Sequence, residues 1–302
     1  MAWSKGYAEW IDGDTAFLSI AFTWLLDHAY MRALSLRATG LKVRAGGPAL
    51  FLVQMRHELA DLDGVELGGD VPEAVTRHNP DATFFSRGCP VGCGFCIVPA
   101  MEGREFTLIP NAVPRPVLCD NNLSALPADY QDFIIARYQG AGVKLTDANS
   151  GFEPITFTPD VYERWRPLIN EGGGPWRFAY DELKERDDVL RVMRMLEAEP
   201  AKRKRVYVLI GNEPFAECMR RLQEVLDHGC EPHVQPVMKL NALERKPWVR
   251  HDWTEERLAD VARWANRRAW RYAPFTEYDR QVRSRPRGMS KAVYDAQQGL
   301  FL

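Results

Sequence analysis

The stretch Cys89-Pro90-Val91-Gly92-Cys93-Gly94-Phe95-Cys96 sets three cysteines in the spacing C-x3-C-x2-C. The apolar run Ala82-Thr83-Phe84-Phe85 ahead of it reads as a strand. Soft sulfur ligands suit iron, and a loop this short brings three thiolates to one iron–sulfur cluster. Three protein ligands leave one iron of a four-iron cluster open, whereas an electron-transfer cluster has all its irons closed by thiolates. An open iron can take a substrate or cosubstrate. The competing readings are a zinc knuckle and three buried free cysteines. Zinc closes with four ligands, commonly as separated pairs, and the nearest further donors here are Cys119 and His78.

The wider frame is Ser86-Arg87-Gly88-Cys89-Pro90 and then Phe95-Cys96-Ile97-Val98-Pro99, with an aromatic residue just before the third cysteine. In these residues the chain resembles the radical S-adenosylmethionine (SAM) superfamily, in particular the branch that includes methylthiotransferases and cobalamin-binding radical enzymes. The resemblance covers roughly residues 80 to 280 and is specific at the cysteines. It implies an α/β fold, a partial (β/α)6 barrel, with Cys89, Cys93 and Cys96 holding a 4Fe-4S cluster whose open iron chelates SAM. One electron from a donor such as flavodoxin or ferredoxin then cleaves SAM to methionine and a 5′-deoxyadenosyl radical, which abstracts hydrogen from a substrate the sequence does not name. Whether the enzyme is an oxidoreductase or a transferase stays open. A nucleic-acid-modifying radical enzyme, a zinc-containing nucleic-acid-binding protein and a plain electron carrier are the alternatives.

The chain as a whole narrows the setting. Its 302 residues, 46% of them apolar, allow one large domain or two small ones with a substantial core. A net charge of -2 is not that of a polycation built for nucleic acid. Six cysteines, three of them crowded together, fit a reducing compartment better than a disulfide framework. The start Met1-Ala2-Trp3-Ser4-Lys5 lacks a signal-peptide pattern, and the apolar run Ala16 to Leu26 falls short of the about 20 residues that span a bilayer. A cytoplasmic protein with no membrane segment is the expectation.

Residues 1–79 are expected to form a shortened Rossmann-like α/β extension: a strand over Thr15 to Trp24, a helix over Leu26 to Thr39, and a strand over Leu41 to Ala45 ending at Gly46-Gly47-Pro48. The order resembles a shortened cobalamin-binding domain. Such domains usually carry Asp-x-His-x-x-Gly, and Asp27-His28 has the wrong spacing, which argues against cobalamin. Residues 80–280 alternate as the barrel requires. Strands are expected at 116–120, 143–147, 177–180, 205–210 and 233–239, and helices at 128–139, 159–169, 183–197, 214–227 and 254–268. With the strand before the cysteines this makes six, and the prolines at 110, 114 and 116 leave the first helix short or missing. Residues 281–302 read as a C-terminal tail.

In parallel barrels chemistry collects at the carboxyl ends of the strands. Those ends carry Cys119-Asp120-Asn121-Asn122, Asn149-Ser150-Gly151-Phe152-Glu153, Tyr180-Asp181-Glu182, Ile210-Gly211-Asn212-Glu213 and, for the sixth, Gln235, Met238 and Lys239. Each alone passes for a turn or cap residue. The resemblance implies roles for five of them: Asp120 and Asn122 near the SAM amino group, Asp181 on the ribose, Gly211 admitting adenine to the backbone, and Glu153 reaching SAM or substrate. Cys119, Cys218 and Cys230 read as packing residues. Lys202-Arg203-Lys204-Arg205 reads as a solvated turn. Arg263 to Tyr272, followed by Arg280, Arg283, Arg285 and Arg287, mixes cations with aromatics as nucleic-acid surfaces do, or else is an amphipathic helix with its tryptophans packed inward.

Overall fold

The structure is a computed structural model that describes residues 3–52, 58–59, 61–68 and 74–278. The expected tail, 281–302, and the arginines from Arg280 onward lie outside the described residues. The first unit is a four-stranded sheet in the order β1 (Tyr7–Asp12), β2 (Thr15–Ile20), β3 (Lys42–Gly46), β4 (Val65–Leu67). β1 and β2 form an antiparallel hairpin; β2, β3 and β4 are parallel, with helix Leu26–Ala38 crossing between β2 and β3. Ala16, Leu18 and Ile20 alternate along β2 and bury against Leu26, Ala29 and Ala33 of that helix. The strand expected to run to Trp24 stops at Ile20, because Thr23–Leu25 winds into a 3-10 turn that starts the helix. β1 escaped the pattern because its residues are mostly half-exposed and lack an apolar alternation.

The rest of the chain runs through β5 (Ala82–Thr83), β6 (Ser86–Arg87), β7 (Thr107–Leu108), β8 (Val117–Leu118), β9 (Asp147–Ala148), β10 (Trp176–Ala179), β11 (Lys204–Ile210) and β12 (Glu231–Pro236). β6 and β7 make a small antiparallel ribbon around the cysteine loop. The others form two parallel sheets, β5-β8-β9 and β10-β11-β12, with strands adjacent in chain order. A parallel bridge, Phe152 to Phe178, joins them. Helices Ala128–Ala141, Pro159–Gly172, Arg186–Met195, Phe215–Asp227 and Glu255–Asn266 follow β8 to β12 in turn, while only one turn, Val98–Met101, follows the cysteines. The fold is mixed α/β with parallel sheets. Among the described residues no helix is long and apolar enough to cross a membrane.

The strand before the cysteines and the second strand are shorter than expected, at Ala82–Thr83 and Val117–Leu118, and the third and sixth are displaced from their expected spans. The third begins only at Asp147, because Thr146 N and Asp147 N both donate to Pro116 O, at 2.9 and 3.1 Å, and this shared acceptor delays regular pairing. The sixth begins at Glu231 and ends at Pro236, so Met238 and Lys239 lie in the loop beyond it. Its two prolines are tolerated because β12 is an edge strand.

Packing decides the character of both basic stretches. Lys204 is buried and donates to His228 O at 3.4 Å, and Arg203 donates to Ile169 O at 3.0 Å, so the turn expected to be solvated is only partly so. Trp264 is buried with its indole donating to Ala273 O at 3.0 Å, and Arg268 and Arg271 pair with Glu231 at 2.7 and 3.2 Å. Packing and ion pairing at the amino-terminal end of β12 account for these residues.

On the helix side of the sheets, Phe152, Phe157, Trp165 and Trp176 centre one core, and Val208, Ile210, Leu222 and Trp264 centre the next. Opposite residues of each strand face the other way, and there the seam between β9 and β10 is closed by charge. Arg177 donates to both oxygens of Asp147, at 2.6 and 2.7 Å, and also to the Tyr207 hydroxyl. A bidentate guanidinium–carboxylate pair out of bulk water is strong and directional. We expect Asp147→Ala to strand Arg177 and cost about 3 kcal/mol of unfolding free energy, measured by urea denaturation, with Arg177→Leu in the Asp147→Leu background recovering much of that loss.

Candidate functional site

The cysteine loop is held from below. Gly88 has φ +88°, and a Cβ there would lie 2.1 Å from Glu105 O, so only glycine fits where the chain enters the loop. Cys89 N donates to Gly103 O at 3.2 Å and Cys96 N to Cys93 O at 3.1 Å. Glu102, from the end of the single helical turn, is the organising side chain. It accepts from Gly88 N at 3.1 Å and from Asn121 Nδ2 at 2.6 Å, and it pairs with Arg87. Asn121 also donates to Gly88 O at 3.2 Å. Sequence reasoning missed Glu102, since nothing in a proline-rich linker marks one glutamate as a clamp.

Asp120 sits beneath this loop and does not reach outward. Fully buried, it accepts from Phe85 N at 2.9 Å and Ser86 Oγ at 2.5 Å, pinning the strand that leads to the cysteines. Burial pushes its carboxyl up to about 6 despite these two bonds. Asn122 is buried as well; its amide donates to Cys89 Sγ at 3.8 Å while its oxygen accepts from Ser124 Oγ and Ala125 N, both at 3.1 Å. Gly211 has φ +88°, and the space of its missing side chain is taken by Leu258 and Val237 at 3.0 and 3.2 Å. Packing alone therefore requires that glycine.

Glu153 and Asp181 join the cysteines on the carboxyl-terminal rim. Burial first, and then Glu185, push Glu153 up to about 7. The same two causes, in the same order, push Asp181 up to about 7, although Leu209 N donates to it at 3.2 Å. Glu185, which the sequence reading passed over, accepts from Asp181 N at 2.8 Å and Glu182 N at 3.1 Å and is itself raised by burial. The capping box formed by Glu182 and Glu185 is the signal that could have found it. Cys93 feels the same group: burial, then Glu153, Cys96 and Glu185, push its thiol up to about 12, and burial raises Cys96. Of the other rim residues, Asn212 and Glu213 are spent internally. Asn212 donates to Asp181 O at 2.5 Å, and Glu213 pairs with the buried Arg221 at 3.0 Å.

Among the described residues no three His, Cys, Asp or Glu side chains converge as ligands of a single metal ion. An iron–sulfur cluster makes a different demand, because each thiolate binds a separate iron and the sulfurs stand apart around the cluster. The donor set meets that demand in kind: three unpaired thiols in one loop, one of them already accepting a hydrogen bond. Burial, with neighbouring carboxyls, holds the Cys93 and Cys96 thiols protonated, and a bound cation would favour their thiolates. Cys119, Cys218 and Cys230 are buried, with Cys119 pushed up to about 12 and Cys230 to about 11 by burial, as packing residues are.

No protein-family profile matches the chain. It is similar to the tRNA-2-methylthio-N(6)-dimethylallyladenosine synthase of Mycolicibacterium smegmatis, 27% identical over 146 residues. The match takes in 39% of this chain and 28% of that protein, so the chain spans well under a third of its relative's length. The likeness agrees with the superfamily resemblance carried by the cysteines, and it extends to neither reaction nor substrate.

The clamp and the acids each make a prediction. In Glu102→Ala, Gly88 N and Arg87 lose their acceptor, so Cys89 should react with a disulfide probe about tenfold faster or more, an opening worth at least one charge-assisted hydrogen bond. For the acids the sign is set by their raised values. Glu153 and Asp181 bind protons more tightly in the folded chain, so metal-free protein should be most stable below about pH 4 in this respect and lose that increment as pH rises to about 7. In Glu153→Gln/Asp181→Asn, thermal melts across this range should show a flatter dependence.

Proposed function

We propose that the chain is a radical SAM enzyme in which Cys89, Cys93 and Cys96 hold a 4Fe-4S cluster and SAM occupies the iron without a protein ligand. The observation that carries this reading is the clamped loop of three free thiols facing protonatable carboxyls on one rim of parallel strands. When bound, the cluster and SAM supply one-electron cleavage of a carbon–sulfur bond and a radical able to abstract hydrogen from an unactivated carbon.

The protein's part is to bind, orient and shield. Glu102, Asn121 and Asp120 fix the loop from which the thiolates extend, and Asn122 offers a neutral donor to the Cys89 sulfur, a contact of the kind that tunes such centres. Asp181 would accept from the ribose hydroxyls of SAM, and Glu153 would serve its cationic end or the substrate. A sulfonium and an ammonium among these acids would favour their ionised forms, so a cationic cosubstrate would displace protons and bind more tightly as pH rises. Gly211 keeps the turn after β11 tight, where the backbone would be open to the adenine.

Residues 80–280 are, on this reading, the partial barrel, and residues 1–79 a brace across its open side. The brace is supported by contacts at both edges: Ser19 and Ser4 with His78 ahead of β5, at 2.9 and 2.5 Å, and Thr23 donating to Leu240 O at 3.5 Å and to Ala242 O beyond β12. The reaction needs an electron donor of the flavodoxin or ferredoxin kind and no cobalamin, whose usual histidine motif is missing. The relative's name, a tRNA methylthio-adenosine synthase, brings nucleic acid forward as a substrate class.

Anaerobic reconstitution should yield about four irons and four sulfides per chain, lost when the three cysteines become alanine. With dithionite and SAM this protein should release 5′-deoxyadenosine. Asp181→Ala should weaken SAM binding by about 1 to 3 kcal/mol, the range of a hydrogen bond to a charged group. Stoichiometric zinc without iron uptake overturns the reading.

A further inference from the structure

The loop after β12 is unlike the rest of the surface. From Lys239 to His251 it carries Lys239, Arg245, Lys246 and Arg250 against one carboxylate, Glu244, in a chain whose net charge is -2. Trp248 is 38% exposed, with the Arg250 guanidinium 4.4 Å and the Lys239 ammonium 5.5 Å from its ring centre. Apolar side chains that would ordinarily turn inward, Leu240 and Leu243, are exposed beside it. The loop is nevertheless held in place: Trp248 N donates to Val237 O at 2.7 Å, and Thr23 binds the carbonyls of Leu240 and Ala242. The Thr23 bonds bring a second aromatic element alongside, the stacked pair Phe22 and Trp24, 4.5 Å apart with Phe22 42% exposed.

The position of this surface matters as much as its composition. His251 donates to the backbone O of Asn212 at 2.9 Å, and the Asn212 side chain donates in turn to the backbone O of Asp181 at 2.5 Å, so two hydrogen bonds tie the loop to the backbone at Asp181. By contrast, Arg268 and Arg271 at the other end of β12 are neutralised by Glu231. Cations left without buried partners attract an anion, and exposed aromatic faces among them bind flat groups by stacking. Single-stranded nucleic acid offers both along one chain, a charged backbone and successive planar bases. An acidic polypeptide offers only the charge.

We propose that the Lys239–His251 loop, with Phe22 beside it, is a docking surface for single-stranded nucleic acid, and that this nucleic acid is the substrate presented to the rim. The second half rests on the radical SAM reading; the first does not.

The test is fluorescence anisotropy of a labelled RNA of ~20 nucleotides, long enough to cover a stacking platform and its flanks, titrated with the full chain at several salt concentrations. Trp248→Ala should weaken binding about tenfold with little change in salt dependence. Lys246→Gln/Arg250→Gln should lower the slope of log affinity against log salt by about 1.4, about 0.7 for each phosphate of the single strand that is no longer neutralised. Lys202→Gln on the opposite rim should change neither. All four positions are exposed, and circular dichroism checks that the fold is kept. The proposal is overturned if the wild type fails to bind at low salt, if both loop variants bind like the wild type, or if poly-glutamate competes as well as unlabelled RNA does. Running the titration on reconstituted protein and on the variant with all three cysteines replaced separates the two ideas. RNA binding by both forms with no iron uptake supports the surface and sinks the radical reading, whereas iron uptake without RNA binding does the reverse.

Discussion

The bidentate pair between Asp147 and Arg177 is the contact on which the site's assembly depends. Among the described residues only one backbone bridge, Phe152 to Phe178, connects the two parallel sheets, so the β9–β10 seam has little ladder of its own to hold it. The cysteine loop and Asp120 belong to one side of that seam, and Asp181 and Glu185 to the other, with Glu153 directly after the bridge. An apolar seam would also close the sheet, but it would tolerate sliding. A fork of two N–H···O bonds fixes register, because a shift of even one residue breaks both. Tyr207 and His233, whose rings lie 4.9 Å apart, continue this polar row across β11 and β12, so the face away from the helices is ordered by directional contacts while the helix side is ordered by packing.

That division of labour explains how the rim tolerates its own charge. Four carboxyls, those of Asp120, Glu153, Asp181 and Glu185, are raised by burial, and the thiols of Cys93 and Cys96 are raised beside them. The buried cation close to Asp181 is Arg221, and its contacts are taken by Glu213 and by the carbonyls of Tyr180 and Leu209. These carboxyls therefore keep their protons to higher pH than free carboxyls do. Such an arrangement is costly for a purely structural corner, which would be stabilised more simply by apolar residues. It suits a site that receives positive charge, where displaced protons leave as the cation enters.

Much of this was legible from the residues, for identifiable reasons. The helices after β9 to β12 were readable because each has a clear 3.6-residue period, and two of them a marked start, Thr158 accepting from Val161 N and Thr254 from Arg257 N. The strands were legible as existing but not in extent. β8 and β9 have only two residues each, too few for a period to show, and the double use of Pro116 O at the start of β9 is a tertiary event. The cysteines stood out because their spacing is local. Asp120 and Gly211 stood out by position, yet their immediate partners, Phe85 N and Ser86 Oγ for one and Leu258 for the other, are about 35 and 47 residues away along the chain and leave no trace in any window of sequence. Glu102 was invisible for the same reason in reverse, since its partners Arg87, Gly88 and Asn121 only meet once the β6–β7 ribbon folds the loop over.

The two ends of β12 show why charge must be read with its partners. The sequence draws attention to Arg263 to Tyr272, where cations and tryptophans are densest, but folding spends them: Trp264 goes into the core, and Glu231, itself buried, gathers Arg268 and Arg271. The segment from Lys239 to His251 looks like an ordinary polar loop, yet folding leaves Arg250 and Lys239 with an exposed indole as a neighbour and anchors the loop at Val237, Thr23 and Asn212. A loop of this length that is solvated and apolar in patches would cost conformational entropy to order without any burial in return. The three anchors supply that order in advance, so a ligand arriving at the rim meets a surface whose shape is already set.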